Sequence, residues 1–220
     1  MNISEYIEHT LLKQDATKDG LAKLFEEAKE NNFLGVCVNP CFVRDAKTAL
    51  KDSDVKIVTV IGFPLGANTS EVKAFETKKA LEDGADEIDM VINVSKLKDK
   101  DFEYVKQDIE AVIHACPNNI LKVILETDLL TKDEIKKACE ICIDAKADLV
   151  KTSTGFVKNG VGAKVEDVEL MYKTVSPFGL KVKASGGIRD AEKALALINA
   201  GASRLGTSSG LKIAEEMRNK

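Results

Sequence analysis

Apolar residues in this chain fall into two kinds of stretch that alternate from end to end. Short runs with little internal alternation cover 7–10, 34–39, 56–61, 86–91, 121–126, 148–152, 180–185 and 203–207. They are rich in Val, Ile and Leu, as parallel strands covered on both faces are. Longer amphipathic stretches lie between them and carry helix signals at their ends. Thr17 is placed to cap LAKLFEEAKENN, Ser70 to cap EVKAFETKKALEDG, Thr131 to cap KDEIKKACEICIDA and Asp190 to cap AEKALALINAG. The second and fourth end in a glycine suited to the left-handed residue past a helix. Eight strands, each followed by a helix, predict an α/β fold: a (β/α)8 TIM barrel forming one domain over residues 1–220. A doubly wound open sheet is the rival, because βα alternation alone does not show closure.

Composition narrows the function classes. The 220 residues are 44% hydrophobic and 31% charged, which suits a globular chain and excludes wholesale disorder. No apolar run approaches the ~18 residues of a membrane helix. The first ten residues, MNISEYIEHT, lack the basic region of a signal peptide. Net charge is -4 with dispersed basic residues, so neither a nucleic-acid nor a membrane partner is expected. Five cysteines cannot all pair and read as reduced thiols of a cytoplasmic chain. Cys139 and Cys142 share a helix face with Ile135, a core pattern rather than a redox pair. Cys37 and Cys41 have no second pair with which to bind zinc, and no metal or other cofactor is expected.

In a barrel, chemistry sits at the C-terminal ends of the strands. Two lysines stand out there: Lys151 in ADLVKTSTG and Lys183 in GLKVKASGG. Lys56, Lys122 and Lys181 lie near strand starts and read as residues of a wet lower rim. A free lysine, with a pKa near 10.4, is almost wholly protonated at pH 7. Burial and a second ammonium nearby both disfavour the charged form, and the resulting amine can attack a carbonyl to form an imine. Asp89, between Ile88 and Met90, can shuttle protons or simply partner a neighbouring lysine; the two roles are compatible. His9 is alone near the upper rim, and His114 reads as a partly buried structural residue of a helix. SGGI (185–188) and GTSSG (206–210) follow the seventh and eighth strands, the usual place for a phosphate in a barrel. Their glycines let backbone N–H groups approach an anion.

The segments VKTSTGF (150–156), KASGGIR (183–189), GTSSG (206–210), EIDMVIN (87–93), TVIGFPLGA (59–67) and CVNP (37–40) resemble those of the deoxyribose-phosphate aldolases, along nearly the whole chain and in the family's order. The resemblance implies a metal-independent barrel that interconverts 2-deoxy-D-ribose 5-phosphate with D-glyceraldehyde 3-phosphate and acetaldehyde. It implies that Lys151 forms the imine, that Lys183 activates it and takes part in proton transfer, and that Asp89 passes protons through water. Thr154, Gly155, Gly186, Gly187, Ser208 and Ser209 would hold the sugar phosphate, and Thr10 would touch a substrate hydroxyl. A homodimer or homotetramer is also implied.

The sequence departs from that pattern in three places. Glu8 stands where the family has aspartate, Asp128 where it has glycine, and Phe156 where some members have lysine. The last shifts the expected phosphate cation to Arg189 or Lys158. Rival readings are a zinc aldolase, a phosphosugar-binding barrel without catalysis, and an isomerase or synthase with the same turns. Two histidines 105 positions apart are poor metal ligands, and neither of the others needs two buried lysines.

Overall fold

The computed structural model describes residues 1–219. The elements run β1 (Ile7–Leu11), α1 (Lys18–Glu30), β2 (Gly35–Val38), α2 (Val43–Ala49), β3 (Lys56–Ile61), α3 (Ser70–Asp83), β4 (Glu87–Val91), α4 (Val94–Lys98), α5 (Phe102–Ala115), β5 (Ile120–Ile124), α6 (Lys132–Ala145), β6 (Leu149–Lys151), α7 (Val165–Val175), β7 (Lys181–Ser185), α8 (Ala191–Asn199), β8 (Ala202–Thr207) and α9 (Gly210–Arg218). All strand pairs are parallel, and β1 pairs with β8, so the sheet closes as a TIM barrel. Closure removes the open-sheet alternative. No helix of the described residues is long and apolar enough to cross a membrane.

Local signals account for several helix ends. Thr17 accepts from the Gly20 amide, Asp190 from Lys193, and Thr131 forms a reciprocal capping box with Glu134. Gly84 ends α3 in the left-handed region at φ +109°. The expected cap at Ser70 is corrected: Thr69 holds that position, and the Ser70 hydroxyl instead donates to Asp108 Oδ1 at 2.9 Å. Asp108 also pairs with Lys73 at 2.5 Å, and both side chains are fully buried. Tertiary pairing there outweighs the local cap.

The strands are more than apolar runs. Their outward residues, such as Ile88, Met90, Leu121, Val123, Val150, Val182 and Leu205, pack in the core beneath the helices. Their inward residues, one in two along a strand, include seven charged ones: Glu8, Glu87, Asp89, Lys122, Lys151, Lys183 and Arg204. Leu12, Cys37, Val58, Val60 and Phe63 form a separate apolar cluster. Gly206 completes the fit: a Cβ there would stand 3.1 Å from Lys183 Cε.

Candidate active site

Strand register brings the charged residues together. Asp89 lies opposite Lys122, and Lys151 opposite Lys183. Asp89 is the hub. Its Oδ2 accepts from Lys151 Nζ at 2.7 Å and from Lys183 Nζ at 2.6 Å, and its Oδ1 accepts from Lys122 Nζ at 3.0 Å. Lys183 also donates to Glu8. The methylene by which Glu8 exceeds aspartate thus spans the gap from β1 to β7. All four residues other than Lys151 are fully buried, and Lys151 is 3% exposed.

Burial pushes the Asp89 carboxyl up, but Lys122, Lys151 and Lys183 outweigh that and hold it well below the usual range. Glu8 is lowered in the same way, burial being overcome by Lys122 and Lys183. Burial favours a neutral Lys183, yet Asp89 and Glu8 reverse that and raise it above the ordinary lysine value. Lys183 is therefore an ammonium at neutral pH, with Asp89 its ionised partner.

The expectation for Lys122 is corrected. It is not on a wet rim but fully buried inside the barrel, with Asp89 above it and Glu87 Oε2 at 2.6 Å below. Arg204 closes the column from beneath, 3.6 Å from Glu87. Lys56 and Lys181 are exposed, as expected of strand starts. The interior thus holds Lys122, Lys151, Lys183 and Arg204 against Glu8, Glu87 and Asp89.

A cavity of about 520 Å³ opens above this column. Of the three interior lysines, only Lys151 borders it. Thr10, Thr154, Gly155, Gly186, Gly187, Arg189, Ser208 and Ser209 all line it, which gathers the residues expected to hold substrate other than Lys158. The Thr154 hydroxyl donates to Glu126 and the Thr10 hydroxyl to the Glu8 carbonyl at 2.9 Å. Ser209 caps α9, so Ser208 and Ser209 stand at a helix N-terminus, where backbone N–H groups and the helix dipole favour an anion. Lys158 does not border the cavity, whereas Lys13 and Lys212 do. No sequence signal marks those two, because loop β1–α1 and helix α9 meet only once the barrel closes. Phe156, where some family members have lysine, packs edge-on against Phe63 with centroids 5.1 Å apart.

The remaining candidates have structural places. His9 is buried, bonds Glu27 at 2.7 Å and stacks edge-on with Phe33, facing α1 rather than the cavity. His114 is on α5 as expected but exposed, which corrects the partly buried reading. Cys139 and Cys142 are buried core residues of α6, and burial pushes the Cys139 thiol up to about 12. Among the described residues, no group of three or more His, Cys, Asp or Glu side chains is placed to hold a metal ion.

Known proteins are similar to this chain in sequence and fold. A family model described as DeoC/LacD family aldolase matches residues 5–216. A deoxyribose-phosphate aldolase from Exiguobacterium sp. is 56% identical over 214 residues, covering 97% of this chain and 96% of that protein. One from Finegoldia magna is 55% identical, covering 98% of this chain and all of its own. A solved structure, the tetrameric deoxyribose phosphate aldolase from Aeropyrum pernix, superposes with a TM-score of 0.90 at 33% identity, covering 99% of this chain and 91% of that one.

Proposed function

The chain belongs to the DeoC/LacD family of aldolases, and from that premise we propose that it cleaves 2-deoxy-D-ribose 5-phosphate reversibly to D-glyceraldehyde 3-phosphate and acetaldehyde through an imine on Lys151. An aldolase is a carbon–carbon lyase. The observation that carries the assignment of the nucleophile is that Lys151 alone of the interior lysines borders the cavity, with Asp89 and Lys183 directly behind it.

The Lys151 nitrogen adds to C1 of the open-chain sugar, giving a carbinolamine. The Lys183 ammonium supplies the proton with which the carbinolamine hydroxyl leaves as water. Asp89, anchored between both lysines, carries protons between them and bound water. In the iminium, electrons of the C2–C3 bond flow to nitrogen while the C3 hydroxyl loses its proton. Glyceraldehyde 3-phosphate departs, an enamine remains, and protonation at C2 followed by hydrolysis releases acetaldehyde and restores the amine.

At the other end, the 185–188 and 206–210 turns receive the phosphate, with Arg189, Lys13 and Lys212 as cations around it. We also take the enzyme to act in the cytoplasm as a homodimer or homotetramer; the tetrameric relative and the exposed Leu65, Val72 and Phe75 support assembly.

The test compares kcat/KM for 2-deoxyribose 5-phosphate and for 2-deoxyribose. Charge-assisted hydrogen bonds are worth about 1.5–3 kcal/mol each, so the unphosphorylated sugar should be poorer by ~3 kcal/mol, about 100-fold. Ser209→Glu should abolish most of that preference while sparing the unphosphorylated sugar. Equal losses on both sugars would place the phosphate elsewhere.

A further inference from the structure

We propose that Asp128 is a positioning residue for the phosphate end of the site: it clasps the loop between β6 and α7 against the Gly186–Gly187 turn, and so fixes the turn that receives the anion. The inference rests on the reading of that turn as the phosphate site.

The loop spans 152–164 and has no regular structure. Irregular segments of that length are held by specific contacts or are mobile. Here both ends are held by carboxylates from one short turn after β5. Glu126 accepts from the Thr154 amide at 3.1 Å and from its hydroxyl. Asp128 Oδ2 accepts from the Gly162 amide at 2.7 Å, while Oδ1 lies 3.3 Å from Lys164 Nζ. The Asp128 side chain is 8% exposed, so this charge-assisted bond is only weakly screened by water.

On its far side the loop lies directly on the phosphate turn. The Ala163 amide donates to the Gly186 carbonyl at 3.0 Å. Gly162 has φ +74°, and a Cβ there would run into the Gly186 backbone; one on Gly187 would run into the Val161 carbonyl. On the near side, a Cβ on Gly160 would stand 2.8 Å from Asp128 Oδ2. Carboxylate, loop and turn are therefore stacked with no slack, and a shift at Gly162 passes to Gly186. Asp128 does not border the large cavity. It lines an adjoining cavity of about 400 Å³ that shares Gly186, Gly187 and Arg189 with the site. The resemblance predicted glycine at 128, so this clasp is not part of the family pattern that marks the lysines.

The experiment measures both sugars with Asp128→Ala, Asp128→Asn and Gly162→Ala. For Asp128→Ala, KM for 2-deoxyribose 5-phosphate should rise about tenfold with kcat nearly unchanged, and kcat/KM for 2-deoxyribose should stay as in wild type. Asp128→Asn keeps an acceptor for the Gly162 amide and should recover most of the loss. Gly162→Ala pushes the loop off the turn from the other side and should show the same selective loss even if Asp128→Ala does not fold. An unchanged phosphate preference in folded Asp128→Ala or Gly162→Ala would overturn the proposal. So would equal loss on both sugars that Asp128→Asn does not rescue. Absence of any phosphate preference in wild type would instead sink the phosphate reading itself.

Discussion

Replacing Lys183 by leucine should lower kcat by about 10²–10⁴-fold, the usual contribution of a positioned general acid, while KM changes by less than about threefold. The side chain is fully buried and does not border the cavity, so substrate binding does not use it. Its ammonium is held charged by Asp89 and Glu8 against the pull of burial, which keeps a proton donor behind Lys151. Steady-state kinetics on both sugars provide the check. A variant that loses binding and keeps turnover would mean that Lys183 shapes the cavity and does not move protons.

Asp89→Asn should be costly in two ways. Asparagine cannot carry protons as an anion, so turnover should fall by about 10²-fold or more. The substitution also leaves Lys122, Lys151 and Lys183 without their shared counter-charge, and breaking a buried pair costs about 3–5 kcal/mol. A chain of this size should then melt ~10 °C lower. The pH dependence follows from the direction of the shift. Asp89 is held well below its usual range, so its stabilisation is complete above the unfolded value near pH 4 and is lost as pH falls below it. The stability gap between wild type and variant should be flat from about pH 6 to 8 and close in acid. Thermal melts across that range decide it; a gap that widens in acid would reverse the assigned role.

The sequence carries the barrel plainly because both its signals are local. Buried parallel strands read as apolar runs, and Thr17, Thr131 and Asp190 cap their helices through residues three positions on. Ser70 shows where local reading stops: its hydroxyl goes to Asp108, thirty-eight positions away, together with Lys73. The meeting of Lys151 and Lys183 is legible because two lysines late in neighbouring apolar strands fit the bland reading of a lone strand lysine poorly, and register brings both to Asp89. Lys122 was not legible, because its place along β5 suggested solvent, whereas register sets it beside Asp89. The signal was present in the two-residue period: Glu87 and Asp89 on β4 face the same interior as Lys122 on β5. Lys13 and Lys212 meet only across the closed barrel, and nothing in their own segments announces it.

Everything in this mechanism turns on Lys151 carrying the imine. Reduction with borohydride in the presence of acetaldehyde, followed by peptide mapping by mass spectrometry, tests it most directly. Inactivation should come with one added ethyl group on Lys151 and none on Lys122 or Lys183, and Lys151→Arg should give no adduct. An ethyl group on Lys183 would exchange the two roles, and inactivation without any lysine adduct would contradict the imine altogether.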